Sequence, residues 1–548
     1  MTHTLHGTLI DILNQRFVPV TLTVGQGRIL EVTEEKEVRA GTPYFMPGFI
    51  DAHVHVESSM LVPSEFARLA VVHGTVATIS DPHEIANVCG AAGVEYMIDN
   101  GKTVPFKFHF GAPSCVPASV FETAGATLDA AAVTALLERP EIVYLSEMMN
   151  YPGVLHGDPE VLAKIAAAKR LGKPVDGHAP GLRGEDARRY IAAGISTDHE
   201  CFTYAEAKEK IGYGMNIQIR EGSAARNFEA LIRLVDEHPE RMMFCSDDKH
   251  PDGLVLNHID ELVRRGLRDG IPLFKLLRAA CINPVLHYKM NVGLLRPGDP
   301  ADFIVVDSPE TLHVLETWID GQLVARNGHS LIQHVPAGTL NQFSCSPKKP
   351  EQFRIKTSTP LQTLAIEALD GQLITNKLSV TIPARNGFAV ADLDNDLLPI
   401  TVVNRYREAP PALGWIHNFG IKHGAIASSV AHDSHNIVAV GVDAESIAAA
   451  VNAVIEVQGG VSVFDGRQSH ILPLPVAGLM SNQDGYKVAE AYAELDMKAK
   501  ELGSQLRAPF MTLSFMALLV IPHLKLSDLG LFDGDRFALA GDQRADGN

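Results

Sequence analysis

The sequence has 548 residues, of which 46% are hydrophobic and 20% charged, a composition typical of a folded globular chain and not of a disordered one. That length suits two to four structural units of roughly 100–200 residues each. Lys and Arg number 47 against 65 Asp and Glu, which gives a formal net charge of −18. An acidic surface repels a phosphate backbone, so we expect no nucleic-acid partner, although a small nucleobase remains possible as a substrate.

The compartment is predicted from cysteine usage and apolar runs. The six cysteines are scattered, with no CxxC pair, and the chain start shows no basic segment followed by an apolar one. The longest apolar run, 511–521, is about half as long as a bilayer span and ends at Pro522. We therefore expect a cytoplasmic protein with no membrane partner.

Residues 5–40 alternate apolar and polar positions around Gly25 and Gly27, which predicts a small β-sheet. From Tyr44 onward, short apolar strands alternate with helical stretches, a pattern typical of a parallel α/β fold. The predicted strands are Phe45–Val54, Thr75–Ser80, Phe106–Phe110, Ile142–Ser146, Pro174–Gly177, Ile195–Thr197, Asn216–Ile219 and Met242–Cys245. Eight strands with intervening helices favour a closed (β/α)8 barrel over an open sheet.

Two later segments complete the predicted organisation. The run GLLRPGDPADFIVVD at 293–307 leads from turn residues into a β-branched stretch that suits a return to the N-terminal sheet, and CSPKKPEQF at 345–353 suits a linker. The predicted fold class is thus α/β, with three parts: a TIM-like (β/α)8 barrel at 44–292, a small β-sandwich domain from both flanks (1–43 with 293–345), and a C-terminal α/β (α+β) domain at 355–548.

The segment PGFIDAHVHVESSM, residues 47–60, contains a histidine pair at the end of the first predicted strand. Side chains two residues apart on an extended strand point to the same face, so His53 and His55 can bind one metal ion together. An HxH pair alone is a weak signal, because such pairs also occur on loops and exposed strands.

Further polar residues follow the other predicted strands, where a barrel of this kind places its functional groups. They are Asp81, His83, Glu84, Glu147, His178, His199, Asp247 and Asp248. Each has an ordinary alternative: Glu147 as half of an ion pair, His178 bonded to a backbone carbonyl, and 198–200 as a solvated loop. Grouped at one rim, unpaired residues of this kind carry a desolvation cost that a bound metal removes.

The ligand types also suggest how many ions are bound. His53, His55 and Asp247 suit one ion, His178 and His199 suit a second, and Glu147 can bridge the two. Nitrogen and oxygen ligands without thiolate suit Zn, Mn or Fe. Two such ions, ~3.5–4 Å apart, can share a hydroxide that acts as a hydrolytic nucleophile.

The motifs PGFIDAHVH and GLLRPGDPADFIVVD, the separated His178 and His199, and the SDD at strand eight resemble the amidohydrolase superfamily. More narrowly, HVHVESSM, SDPHEIANV and SSVAHDSHNIVAVG resemble the bacterial adenine deaminase family, and these motifs span barrel and C-terminal domain alike. The resemblance implies hydrolysis of adenine to hypoxanthine and ammonia in purine salvage, at a binuclear centre that favours Mn or Fe over Zn. Many cyclic-amide hydrolases of the superfamily have a carboxylated lysine at strand four, where this chain has Glu147.

For that reaction, we expect a metal-bridging hydroxide to attack C6 while a strand-eight aspartate accepts its proton. Asp247 is preferred over Asp248 because it lies closer to the strand; Asp248 then orients a strand-one histidine or contacts the base. Glu84 is the candidate for proton transfer to N1 and the departing amine. Its alternative role is that of an acidic residue in the first turn of a helix, favoured there by the helix dipole.

Other polar side chains are candidates for framing the purine, namely Ser58, Ser59, Asp81, His83, Arg220 and Asp248. Arg220 is equally consistent with a simple surface charge. The C-terminal segment 415–441 contains His417, His423, His432 and His435, which suggests either a second metal site or, preferably, a cover over the barrel mouth that excludes water.

Two alternatives remain to the predicted function: another cyclic-amide or purine hydrolase of the superfamily, and a non-catalytic scaffold with the same fold. The filled ligand positions disfavour the scaffold. We also expect a homo-oligomer that acts on a small molecule.

Overall fold

The computed structural model of this chain describes residues 2–37 and 41–540. Its centre is a barrel of eight parallel strands, numbered one to eight in chain order. They are Phe49–Val54, Thr75–Ser80, Lys107–Ala112, Ile142–Met148, Val175–Gly177, Thr197–Asp198, Asn216–Arg220 and Met242–Cys245.

Backbone contacts join the eight strands into a closed ring. Strands one to five form one ladder and strands six to eight another. The ladders meet where Ser196 N donates to Val175 O at 2.9 Å and where Asp247 N donates to His53 O at 3.0 Å. The predicted fold class is confirmed, since parallel barrel strands combine with a flanking β domain and a mixed C-terminal domain.

The first predicted strand, 45–54, is divided in the structure. Its first part, Tyr44–Pro47, joins the flanking sheet, and the second, Phe49–Val54, begins the barrel. The division falls at Gly48, where an added Cβ would lie 2.3 Å from Val76 Cγ1. The chain changes sheets where only a glycine permits so close an approach.

Helices surround the barrel, and some of them begin at a side-chain cap. The Asp158 carboxylate accepts hydrogen bonds from the backbone N–H groups of Glu160 and Val161, and Asp129 accepts one from Ala132. The helices of this part are Pro63–Ala70, His83–Cys89, Ala91–Gly101, Ala130–Leu137, Tyr151–His156, Pro159–Arg170, Gly184–Ala192, Tyr204–Gly212, Phe228–Leu231, Arg233–Glu237, Pro251–Leu256, Ile259–Arg268, Leu273–Leu277 and Asn283–Tyr288.

The flanking sheet combines strands from before and after the barrel. Its strands are Thr2–Asp11, Arg16–Gly25, Arg28–Glu34, Tyr44–Pro47, Phe303–Val306, Val314–Ile319, Gln322–Arg326 and His329–Ser330. Phe303 and Trp318 stack with ring centroids 5.6 Å apart, inside an apolar cluster that draws on both flanks. The 293–307 segment therefore returns to the N-terminal sheet, as its pattern predicts, whereas the domain boundaries stay predictions.

The C-terminal part contains a second eight-stranded sheet, a three-stranded sheet and a two-stranded one formed by Ala384–Arg385 and Phe388–Ala389. Its strands are Leu361–Glu367, Asn376–Ile382, Ala384–Arg385, Phe388–Ala389, Leu397–Val403, Ala412–His417, Ala425–Ser428, Ile437–Gly441, Gly460–Phe464, Ser469–Pro473, Leu524–Ser527, Gly530–Asp533 and Ala538–Leu539. Its helices are Ala444–Glu456, Gly485–Glu501 and Pro509–Phe515. It contacts the barrel directly, because Ser481 N donates to Met60 O at 2.8 Å and Gly485 N donates to Glu65 Oε2 at 2.7 Å.

Within residues 2–37 and 41–540, the helices are all too short or too polar to traverse a lipid bilayer.

Substitution of Gly48 by alanine tests the division of the first strand. The added methyl group would collide with Val76, so we expect the free energy of unfolding to fall by about 1–3 kcal/mol. Gly212→Ala is the matched control, since a Cβ at that helical position meets no heavy atom within 4 Å. Urea denaturation of both variants measures the difference, and equal stability of the two would contradict the close-approach explanation.

Candidate active site

His53 and His55, at the end of the first barrel strand, lie side by side with their rings edge to face and their centroids 4.8 Å apart. Their Nε2 atoms lie 3.2 Å apart. Asp247 Oδ1, at the end of strand eight, lies 3.2 Å from His55 Nε2 and 3.6 Å from His53 Nε2. All three side chains are buried. Three ligand atoms thus converge within reach of one small ion.

Asp51, on the same strand, holds this corner of the barrel in place. Its Oδ1 accepts a hydrogen bond from Ser246 N at 3.0 Å, and its Oδ2 lies 2.8 Å from His258 Nε2. The other nitrogen of His258 lies 2.7 Å from Thr75 Oγ1. These bonds tie strand one to strands two and eight immediately below the ligand atoms.

Glu147 ends strand four and faces two groups of histidines. Its Oε1 lies 3.4 Å from His55 Nε2, while its Oε2 lies 2.7 Å from His178 Nδ1 and 3.2 Å from His199 Nε2. Burial raises the pKa of Glu147, but His178 and His199 outweigh burial and hold that pKa well below its usual range. An ionised carboxylate with one oxygen toward each group has the arrangement of a bridging ligand.

Glu200 and Arg220 complete the deep side of the site, and both side chains are buried and not on the surface. Glu200 is 1% exposed, so the solvated-loop alternative for residues 198–200 is wrong. Arg220 is 2% exposed and is therefore not a surface charge. It donates to Glu200 Oε2 at 3.1 Å and to Asp247 Oδ2 at 2.8 Å, which places it behind the ligand atoms.

Strand two supplies a further group at the rim. His83 Nδ1 lies 3.2 Å from Asp81 Oδ2 and 3.5 Å from Glu147 Oε1. His83 Nε2 lies 3.5 Å from Glu84 Oε1 and 3.5 Å from Asp433 Oδ1. His83 thus stands between the predicted ligands and a residue of the C-terminal part.

The C-terminal segment 432–435 covers the barrel mouth. This is the preferred of the two predictions for segment 415–441. His432 Nδ1 and His435 Nε2 both contact the carboxylate of Glu84. His417 instead lies near Glu367, and His423 is exposed, so the four histidines do not gather into one site. The two histidines at the mouth and Asp433 are functional candidates that spacing alone did not assign.

The remaining predicted residues take different positions. Ser58 Oγ donates to Asp248 Oδ1 at 2.5 Å, and the same oxygen lies 3.7 Å from His432 Nε2. Ser59 Oγ donates to Val56 O at 2.6 Å and so closes its own turn. Asp248 therefore faces Ser58 and the C-terminal part, while Asp247 faces the histidines of strand one.

A small cavity lies where these groups meet. It is lined by His55, His83, Glu84, Glu147, Met149, His178, His199, Glu200, Asp247, Asp248, Leu373, His432, Asp433, Phe515 and Leu518. The barrel contributes mostly titratable side chains to it, and the C-terminal part contributes three apolar side chains together with His432 and Asp433.

The donor set fits divalent cations. Among the residues that the structure describes, several buried side-chain atoms at the site have no hydrogen-bond partner, namely His53 Nδ1, His178 Nε2, His199 Nδ1 and both ring nitrogens of His83, with others. Ligand atoms lie within 4.8 Å of one another in each of four overlapping groups: His53, His55 and Asp247; His53, Glu147 and His199; His178, His199 and Glu200; His55, Asp81, His83 and Glu147. Imidazole and carboxylate donors without thiolate suit Zn, Mn or Fe.

Comparison with known proteins agrees with this geometry. Residues 44–324 match the amidohydrolase family, and residues 372–538 match the adenine deaminase C-terminal domain. The chain belongs to the amidohydrolase family. A protein named adenine deaminase from Salinibacter ruber is 56% identical over 534 residues, which cover 97% of each chain. One of the same name from Sulfurovum sp. is 54% identical over 532 residues, covering 96% of this chain and 97% of that protein.

Among solved structures, N-acetyl-D-glucosamine-6-phosphate deacetylase from Mycobacterium smegmatis aligns with a TM-score of 0.44 and 16% identity, covering 59% of this chain and 100% of its own. The resemblance to adenine deaminases predicted from the sequence motifs is confirmed by the curated relatives. Enzymes of the amidohydrolase family generally use divalent metals, and the clusters around Glu147 are suited to hold them.

Replacement of Glu147 by glutamine tests the bridging carboxylate. The amide keeps the size of the side chain but removes the negative charge and one oxygen. We therefore expect the affinity of the site for metal to fall by at least about tenfold. Metal analysis after reconstitution with Mn²⁺ and dialysis measures the loss, with circular dichroism to confirm folding. Glu138→Gln, at an exposed helix end, is the control. Full metal retention in the Glu147 variant would contradict a ligand role.

Proposed function

We propose that this enzyme hydrolyses adenine to hypoxanthine and ammonia. The observation that carries the proposal is the meeting of two motifs, HEIAN at 83–87 and AHDSH at 431–435, at one cavity beside the histidine cluster. Relatives named adenine deaminase match the chain over both segments and nearly its full length.

We infer that the centre holds two divalent ions, with Mn or Fe favoured over Zn. His53, His55 and Asp247 would hold one, His178 and His199 the other, and Glu147 would contact both. Bound there, such ions lower the pKa of water so that a nucleophile forms near neutral pH.

Asp247 is well placed to accept the proton of the attacking water. Its Oδ1 faces the strand-one histidines, while its Oδ2 is held by Arg220 at 2.8 Å. Burial raises the pKa of Asp247, but Arg220 and His55 outweigh it and keep the pKa well below its usual range, so the group begins as a base. Asp248, which is bonded to Ser58 instead, is assigned to the substrate side.

Glu84 and His432 together suit proton delivery to the purine. Both line the cavity, and His432 Nδ1 contacts Glu84 Oε1. N1 must gain a proton as C6 becomes tetrahedral, and the exocyclic amine must leave as ammonia. The proton shared by Glu84 and His432 goes to N1, and the proton that Asp247 takes from the attacking water goes to the departing amine. The Glu84 pair regains its proton from the next water molecule, so two protons of one water account for both transfers.

Substrate recognition is proposed to involve Asp433 and the apolar side chains of the mouth. Asp433 Oδ2 is buried without a hydrogen-bond partner, so it is available to accept from an N–H of the base. Of the residues predicted to frame the purine, His83 and Asp248 line the cavity, whereas Ser58, Ser59, Asp81 and Arg220 lie behind it in contact with other protein groups. A few directed hydrogen bonds of this kind are enough to separate adenine from guanine.

The finer expectations stay predictions: action in purine salvage, a cytoplasmic location and a homo-oligomer. The six cysteines are free, which suits a reducing compartment.

Ammonia release from adenine, adenosine, guanine and dihydroorotate tests the proposed function. We expect the enzyme reconstituted with Mn²⁺ or Fe²⁺ to act on adenine and to leave the other three compounds unchanged, with lower activity for the Zn²⁺ form. Turnover of adenosine without turnover of adenine would contradict the assignment. Release from dihydroorotate alone would favour a cyclic-amide hydrolase.

Substitution of Glu84 by glutamine tests the proton-transfer role. The amide preserves the contacts with the C-terminal histidines in part but cannot exchange a proton, so we expect kcat to fall by about 10²–10⁴-fold with metal content unchanged. Steady-state kinetics and metal analysis on the same preparation measure both. Glu95→Gln, an exposed helical residue paired with Arg139, is the control. Near-normal turnover of the Glu84 variant would remove it from the mechanism.

A further inference from the structure

Lys525 is a fully buried lysine in the C-terminal part, on the strand Leu524–Ser527. Its Nζ donates to Leu373 O at 2.7 Å and to Phe515 O at 2.9 Å. Within the part of the chain that the structure describes, no carboxylate lies within ion-pair distance of it. Burial lowers the pKa of Lys525 to about 7. Such a residue is costly to bury, and an apolar side chain would fill the space more cheaply.

The two carbonyl groups belong to two separate segments of the C-terminal part, which Thr375 N also links by donating to Pro522 O at 3.1 Å. Phe515 is the last residue of the helix Pro509–Phe515, and its carbonyl also accepts from Leu518 N at 3.2 Å. Leu373 lies before the strand Asn376–Ile382. A cation at a helix C-terminus also interacts favourably with the helix dipole. Lys525 therefore satisfies two buried acceptors and joins two separate segments with one side chain.

The strand of Lys525 makes further bonds to the same two segments. Leu526 N donates to Met516 O at 2.9 Å, beside the Lys525 contact to Phe515. Thr375 Oγ1 donates to Leu524 O at 2.8 Å, beside the contact to Leu373. The two hydrogen bonds of Lys525 thus lie at the centre of a small network that sets the distance between the two segments.

These segments form the apolar side of the active-site cavity. We call Leu373, Phe515 and Leu518 the roof; all three line the cavity and are at most 5% exposed. The ring of Phe515 stacks on His432 with centroids 5.1 Å apart. His432 in turn contacts Glu84. Any substituent that extends from the bound base toward the roof would have to displace buried side chains.

We propose that Lys525 is a positioning residue that fixes the roof over the cavity, and that the roof restricts the substrate to a purine base without a substituent on N9. This inference rests on the proposed function. The Lys525 side chain contacts the cavity-lining residues Leu373 and Phe515 at their backbone carbonyls. It therefore acts on the cavity through these two residues. C6 of the proposed substrate must face the barrel histidines, and N9 lies at the opposite end of the purine, so a 9-alkyl group or a ribose extends toward the roof and requires the roof to move.

The test compares Lys525→Met, which keeps the length but has no donors, with Lys525→Gln, whose amide retains two N–H groups. Lys377→Met is the matched control, because Lys377 lies in the same domain and pairs with Asp533 at its partly exposed surface. Hydrogen exchange of peptides covering 509–521 reports the roof without any need for activity. We expect faster exchange there in Lys525→Met, an intermediate rate in Lys525→Gln, and the wild-type rate in the control.

The same variants are assayed with adenine and 9-methyladenine. We expect the ratio of kcat/KM for 9-methyladenine over adenine to rise by about tenfold in Lys525→Met, chiefly through the KM values. A folded Lys525→Met variant with wild-type exchange and a wild-type ratio would overturn the proposal.

Leu518→Ala tests the roof with Lys525 intact, and it decides the matter if Lys525→Met does not fold. We expect the same rise in the substrate ratio, and an unchanged ratio would overturn the role given to the roof. A wild-type enzyme without adenine turnover would contradict the proposed function alone, since the exchange measurement still decides whether Lys525 holds the roof.

Discussion

The structure depends on the backbone pairing between strands one and eight. Asp247 N donates to His53 O at 3.0 Å, and Val54 and Asp247 form a parallel bridge. Asp247 has a φ of 54°, a left-handed conformation that disfavours residues other than glycine. The strain is of the order of 1–3 kcal/mol and is stored where the aspartate side chain turns toward the histidines. Closure of the barrel and assembly of the ligand set are therefore one structural event.

Charge balance explains how so many titratable groups are buried together. Arg220 pairs with both Glu200 and Asp247 from behind, while histidines lie beside Asp247 and around Glu147 from in front. A buried carboxylate without such partners would carry a desolvation cost of several kcal/mol. Because each pair shares a member with the next, removal of one group leaves another unpaired, and effects at this site will not be additive.

Much of the barrel could be predicted from sequence because its signals are local. The strand Thr75–Ser80 has the predicted bounds, and the ligands follow strand ends, where parallel strands meet at one edge. Contacts between the domains could not be predicted in that way. Glu84 and His432 are 348 residues apart, and neither spacing nor periodicity relates them. A solvated alternative stayed open for residues 198–200 and for Arg220, because burial of a charge depends on partners that only the fold brings together.

The barrel and the C-terminal part contribute different groups to the cavity. This difference explains why both parts are needed there. The barrel alone supplies the histidines and carboxylates suited to a metal-assisted attack, and it leaves Glu84 at an open mouth. Docking of the C-terminal part gives Glu84 its histidine partners and places Phe515 against one of them. Excluding water strengthens the electrostatic interactions that remain inside. Under the proposed function, enclosure of the base and preparation of Glu84 for proton transfer are thus coupled through the same side chains, so a loosely closed mouth would weaken selectivity and proton transfer together.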